Sequence, residues 1–172
     1  EHMAQIEGVH VIALSRNLVR MKSRFLQPNV SCYQLDIAKD VTKQLNAIHF
    51  SNPIDILVNN AAGPPGGPLL NSTVEELTQP FGRHLHAAHT LVQLLAPTME
   101  SEGYGRIIQI VSTSVREPIP NLGVSNTLRG AMASWAKSLS NELAPCITIN
   151  NVLPGFTDTE RLGNLSASIQ ER

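Results

Sequence analysis

The chain has no apolar run approaching the ~18 residues of a membrane-spanning helix, so the sequence offers no candidate span. It is also poor in cysteine. Cys32 and Cys146 lie in apolar, strand-like contexts, with no spacing suited to a metal site or a disulfide framework. A reducing cytoplasm fits that usage, and no metal is expected. Neither charge sign is in excess: 13 Lys and Arg stand against 14 Asp and Glu, a formal net charge of -1. This balance argues against nucleic acid or an anionic membrane surface as the main partner. The only basic cluster is Arg16, Arg20, Lys22 and Arg24, and the last three read as a solvated helix face. No signal peptide is legible, and the opening Glu1-His2-Met3 could include a cloning remnant. Internal repeats and low-complexity tracts are absent as well.

What is present is a globular composition, 42% hydrophobic over 172 residues, enough for one domain with a sizeable core. Short β-branched runs alternate with helical patterns, which points to an α/β domain on a parallel sheet. Residues 9–15, 30–35, 54–60, 105–112 and 146–153 read as buried strands, near-continuously apolar because helices would cover both faces. Residues 73–99 read as one long helix, opened by a Thr73–Glu76 capping-box pair, with Leu77, Leu85, Leu91, Leu94 and Leu95 on its apolar side. A second helix, 125–143, places Leu128, Met132, Trp135, Leu139 and Leu143 at helical spacing. Core packing explains that stripe. Pro64 to Pro68 form a loop by composition.

Several polar or small residues sit where such a fold exposes its strand ends. Residues 57–63, LVNNAAG, follow a buried strand: small side chains there let a backbone approach a ligand, and Asn pairs can bridge strands. A plain turn explains the run equally well in isolation. Ser112 ends the strand 105–112; Ser125 opens the next helix, with Arg129 one turn later. Residues 154–162, PGFTDTERL, follow the last strand and would by themselves be an ordinary turn. Asp36 reads as a helix cap as readily as a binding acid. Arg16, just past the strand 9–15, is by default a surface residue, and His84 is one of three histidines in its helix, with His86 and His89.

Taken together, LVNNAAG, the stretch from Ser112 to Arg129 and PGFTDT resemble the short-chain dehydrogenases/reductases over about residues 4–162. Within that family the chain looks most like a divergent branch related to 3-oxoacyl-(acyl-carrier-protein) reductases, in which Ser-Asn-x-x-Arg stands where Tyr-x-x-x-Lys is usual. The resemblance implies a Rossmann-type, doubly wound parallel sheet in three layers. It implies that Asn59, Ala61 and Ala62 lie beside the adenosine part of a dinucleotide, that Asp36 and Ile37 flank the adenine, and that Pro154, Gly155 and Thr157 approach the nicotinamide. Arg16 then falls at the adenine ribose, where an arginine accommodates the 2′-phosphate of NADP and an acid would select NAD. NADP is therefore expected, with NAD as the lesser option. Ser112 takes the place of the family's catalytic serine. Ser125 and Arg129 take those of its tyrosine and lysine, Arg129 being a cofactor contact as well. Counting back 15 residues from Met99 puts His84 at the position of its catalytic asparagine.

The departures weigh as much as the matches. The only tyrosines, Tyr33 and Tyr104, fall in a strand and a pre-strand loop, so neither supplies the missing acid. No Gly-x-x-x-Gly-x-Gly turn appears, no strand precedes residue 9 to carry it, and a C-terminal strand is missing too. In the family that first strand lies between the strands that here are 9–15 and 54–60. The expectation is thus a single, incomplete dinucleotide-binding domain, 1–172. Its expected function is NADP-dependent interconversion of a small carbonyl and its alcohol. The alternative is a catalytically inactive nucleotide-binding scaffold or sensor of the same fold. The two long helices resemble the pair that builds the family's dimer contact, so a homodimer or homotetramer is expected, with Trp135 and Met132 as exposed interface anchors.

Overall fold

The β-branched runs form strands, and every strand ladder among the described residues is parallel. The computed structural model describes residues 2–48, 52–155 and 157. β1 (Val11–Ser15) pairs with β2 (Val30–Gln34) across α1 (Leu18–Arg24). α2 (Val41–Asn46) follows β2. β3 (Ile56–Asn59), β4 (Gly105–Ile110) and β5 (Ile147–Val152) make a second sheet in that order. Between β3 and β4 lie α3 (Val74–Phe81) and α4 (Ala87–Ser101); α5 (Gly123–Leu139) links β4 to β5. The chain divides into two compact units, Glu1–Phe50 and Ser51–Arg172.

This is the parallel α/β class that the alternation predicts, in the Rossmann-like form that the resemblance implies. The single sheet expected from sequence is instead two sheets, one in each unit. The reason is local: among the described residues β1 has no partner but β2, and β3 none but β4.

In the first unit, polar caps set the helix starts. The Asn17 side chain accepts from the Arg20 N–H and opens α1; Asp40 accepts from the Lys43 N–H and opens α2. Met21, Leu35, Val41 and Leu45 are buried there. α2 has only six residues, too few to display an apolar stripe in the sequence.

The second unit corrects three sequence expectations. First, β3 is not covered on both faces: Leu57 is buried, but Ile56 and Val58 are 40% and 53% exposed. β5 alternates in the same way, with Thr148, Asn150 and Val152 exposed. Successive side chains point to opposite faces, so register places Leu57, Ile107 and Ile149 on the covered face and Ile56, Val58 and Val152 on the other. Second, the expected helix 73–99 is interrupted. Thr73 and Glu76 do form the reciprocal capping box, but a π-helical turn, Gly82–His86, separates α3 from α4. Pro80 has no N–H to continue the α-helical ladder, and a loosened register follows two residues later. Third, α5 begins at Gly123 and ends at Leu139, earlier at both ends than the expected 125–143. Pro145 disfavours the helical conformation at Ala144, and the segment after Leu139 closes in single turns.

The core of the second unit gathers Ala88, Val111, Leu128 and Met132, with Leu85, Trp135 and Leu153 packed against it. Met132 is therefore inside the chain, only 3% exposed, and is not the surface anchor its size suggested. Trp135 lies edge-on to His89, with ring centroids 6.1 Å apart, and donates from Nε1 to His89 Nδ1 at 3.3 Å. No helix among the described residues is long and apolar enough to cross a membrane.

Candidate active site

In parallel α/β sheets, ligands gather outside the carboxyl ends of the strands, and β4 of the second unit ends in a serine-rich turn. Ser112 opens a short 3-10 turn, Thr113–Val115, and its Oγ accepts from the Ser114 N–H at 3.1 Å. That bond uses one acceptor site of the hydroxyl and leaves its proton available to donate. The Thr113 N–H donates to the Pro154 carbonyl at 3.1 Å, which brings the Pro154-Gly155 segment beside the serine turn. The Thr157 hydroxyl bends back to the Gly155 carbonyl at 3.3 Å. The remainder of the 154–162 motif lies outside the described residues.

α5 presents Ser125 and Arg129 to this strand end, both buried, at 7% and 8% exposure. An arginine is buried only where its donors are engaged. Here Nη1 donates to the Ile110 carbonyl at 2.9 Å, two residues before Ser112. The guanidinium is thus fixed under the end of β4. Asn126, between the two, braces the approach to the helix: its Nδ2 donates to the Ile119 carbonyl at 2.8 Å. Sequence reasoning passed over Asn126, although its place inside Ser-Asn-x-x-Arg was a visible signal.

His84 lies in the π-helical turn, 3% exposed, with Nε2 2.9 Å from the Ala62 carbonyl. A carbonyl only accepts, so that nitrogen carries the proton and His84 holds the LVNNAAG loop in place. Ala61 is half-buried and Ala62 exposed. The loop beyond them is stitched to the start of α5. The Gly67 N–H donates to the Asn121 carbonyl at 2.6 Å, and the Gly123 N–H donates back to the Gly67 carbonyl at 3.2 Å. Gly67 has φ +154° and Gly123 lies against Leu69, so both positions call for glycine. A crevice of about 160 Å³ runs along Pro64–Pro68 to Glu76 and Val124, the residue before Ser125.

A row of amides that the sequence did not reveal crosses the same sheet. Asn59, Gln109 and Asn151 are direct partners in the β3–β4–β5 register and share one face. Gln109 is fully buried, and among the described residues both its amide atoms lack a partner, as do Asn59 Nδ2 and Asn151 Oδ1. Only Asn59 was expected at a site. A lone glutamine in an apolar strand gives no sign of its neighbours until the register is known.

The first unit carries a separate, open cavity of about 470 Å³, lined by Arg16, Lys39 and Lys43 together with Gln34, Asp36, Asp40 and Gln44. Arg16 and Asp36, both expected at a nucleotide, thus line one cavity; Ile37 is half-buried beside Asp36. Asp36 does not cap α2, since Asp40 does; its Oδ1 accepts instead from the Ala38 N–H at 3.0 Å. The two lysines were missed, because their approach to Arg16 depends on the fold.

Known proteins resemble this chain in sequence and in fold. The family model described as short chain dehydrogenase matches residues 2–170. The 3-oxoacyl-[acyl-carrier-protein] reductase MabA of Mycobacterium avium is 33% identical over 119 residues, covering 69% of this chain and 47% of the relative. The NADPH-dependent reductase BacG of Bacillus subtilis is 28% identical over 120 residues, or 69% of this chain and 46% of the relative. The chain spans about half the length of these curated relatives. A solved structure, described as a short chain dehydrogenase/reductase family protein, superposes with a TM-score of 0.85 at 25% identity, over 98% of this chain and 73% of that one. On its motifs, its strand-end geometry and these matches, the chain belongs to the short-chain dehydrogenase family.

Proposed function

We propose that this protein is an NADP-dependent oxidoreductase that interconverts a small carbonyl compound and its alcohol, with 3-oxoacyl-type ketones as the first substrates to test. In this reading both units belong to one dinucleotide-binding domain, 1–172, that works in the cytoplasm as a homodimer or homotetramer. The observation that carries it is the pairing at the end of β4. Ser112 keeps a hydroxyl proton to donate, and Arg129 is buried and fixed two residues upstream by its bond to Ile110. The residues of the first unit suit the adenosine end of a nicotinamide dinucleotide: Arg16 lines a cavity with Asp36. NADP is favoured by that arginine, and the 3-oxoacyl class by the relative from Mycobacterium avium.

The bound nicotinamide would supply the hydride. Ser112 would donate to the substrate oxygen and stabilise the charge that develops there. Arg129 would add a fixed positive charge and exchange no proton, since a guanidinium stays protonated at working pH. Ser125 is a far weaker acid than the tyrosine it replaces, whose pKa is ~10. His84 Nε2 lies 2.9 Å from the Ala62 carbonyl. The proton would come from water, from His84 or from the substrate's surroundings.

A second reading, a nucleotide-binding scaffold or sensor without turnover, draws on one observation: the residue at the tyrosine position is a buried serine. NADPH oxidation with a panel of ketones separates the two. The enzyme reading expects turnover in the wild type. It also expects a larger gain in the Ser125→Tyr/Arg129→Lys double variant than in either single one, because lysine lowers the phenol pKa. Tight NADPH binding with no turnover of any ketone would leave only the scaffold.

A further inference from the structure

The cavity of the first unit brings three cations and two acids together, yet among the described residues none of the five forms an ion pair. Local backbone bonding explains why the acids stay out of reach. Asp36 Oδ1 accepts from the Ala38 N–H at 3.0 Å, and Asp40 Oδ1 accepts from the Lys43 N–H at 2.9 Å. The Gln44 side chain pins the same turn, accepting from the Asp36 N–H at 2.8 Å and donating to the Asp36 and Asp40 carbonyls at 2.9 and 3.0 Å. Across the cavity, the Gln34 side chain donates to the Arg16 carbonyl at 3.1 Å and fixes the backbone there. The walls are held by short bonds, while the heads of Arg16, Lys39 and Lys43 have no partner among the described residues.

We infer that Lys39 and Lys43 act with Arg16 as a three-point clamp for a phosphomonoester, the ribose 2′-phosphate of NADP. This inference rests on the reading of the protein as an NADP-binding oxidoreductase. A phosphomonoester carries about -1.5 to -2 charges at neutral pH and three acceptor oxygens, which suits a cavity whose three cations outnumber its two acids. The volume, about 470 Å³, falls in the range of small-molecule sites and leaves room for a nucleoside attached to the phosphate. Arginine supplies a planar fork for two oxygens; lysines supply compact charges for the third and for the sum. A single arginine would select NADP. Two further cations would make that selection steeper and more sensitive to salt.

The test is calorimetric titration of NADP+ and NAD+ into the protein and into Arg16→Ala, Lys39→Gln, Lys43→Gln and the double lysine variant. Each lysine change should weaken NADP+ about 3- to 10-fold, the double change by more, and NAD+ binding should stay within about twofold. Lys39→Arg and Lys43→Arg should keep the preference, which separates charge from folding. Unchanged NADP+ affinity in the double variant would refute the clamp; if Arg16→Ala still lost affinity in that series, the NADP reading would survive without it. Equal losses for both nucleotides would also refute it. A wild type that binds NADP+ no better than NAD+ would defeat the reading itself. Inorganic phosphate should compete with NADP+ only weakly, and competition as strong as that of 2′-AMP would mean a free-phosphate site instead.

Discussion

The two units treat polar groups in opposite ways. In the first, charged side chains ring an open cavity, their backbone neighbours are pinned, and the charges stand in solvent. In the second, Ser114, Ser125, Arg129, His84 and Gln109 are buried. The first arrangement suits recognition: exposed charges are cheap to keep and, against a dianion, give selectivity. The second suits chemistry, because a polar group removed from water acts more strongly and is costly wherever it lacks a partner. A substitution should accordingly change binding alone in the first unit, and turnover or stability in the second.

The largest expected effect sharpens that contrast at the end of β4. Ser112→Ala removes a hydroxyl at the end of β4 that accepts from the Ser114 N–H and has no acceptor for its proton among the described residues. Loss of such a donor to a developing oxyanion costs about 10²–10³ in turnover. NADPH affinity should stay within about twofold, since the loss belongs to the transition state. If Ser112→Ala kept wild-type turnover while Ser125→Ala lost it, the roles given to the two serines would be wrong.

Next in size is a purely structural break in the second unit. A Cβ added at Gly123 would sit 2.7 Å from the backbone N and Cα of Leu69, a distance that side-chain motion cannot relieve. The backbone must shift, and with it the Gly67–Gly123 bridge that ties the proline-rich loop to α5. Gly123→Ala should therefore cost about 1–3 kcal/mol in urea unfolding. Gly130, with nothing within 4 Å of its added Cβ, is the control: Gly130→Ala should be neutral or stabilising, because alanine is the better helix former. Equal effects at the two positions would show that the bridge does not constrain the loop.

How much of this was legible from sequence follows the range of each interaction. β-branched runs reveal strands because the preference is local, and all five expected runs formed one. The Thr73–Glu76 cap was legible for the same reason. The π-helical turn was not: Pro80 signals a weakened helix, but not that the helix resumes with one residue looped out. The uncovered face of β3 was hidden too, since Ile56 and Val58 look like core residues whether or not a helix packs on them. At the site, Ser112, Ser125 and Arg129 could be placed by spacing along one strand and one helix. Lys39 and Lys43 could not, because they share a cavity with Arg16 only through the β1–β2 pairing and the turn held by Gln44.

The smallest expected effect concerns Gln109, where the contrast between the units could fail. Its side chain is fully buried between Asn59 and Asn151, and neither its Nε2 nor its Oε1 has a partner among the described residues. A buried polar atom without a partner costs about 1–3 kcal/mol relative to one that is paired. Methionine has a similar length and flexibility and no such demand. Gln109→Met should therefore leave stability unchanged or raise it by about 1 kcal/mol, against the usual sign for a core substitution. The orphans do form a complementary series: Asn59 Nδ2 is a donor, Gln109 Oε1 an acceptor, Gln109 Nε2 a donor and Asn151 Oδ1 an acceptor. Small side-chain rotations or bridging waters would close it, since partners on adjacent strands lie within reach. In that case Gln109→Met would strand two asparagines and lower the unfolding midpoint, and Asn59→Ala in the same background would recover part of the loss. A thermal shift therefore decides whether the row is a standing cost or a closed ladder, and its sign matters more than its size.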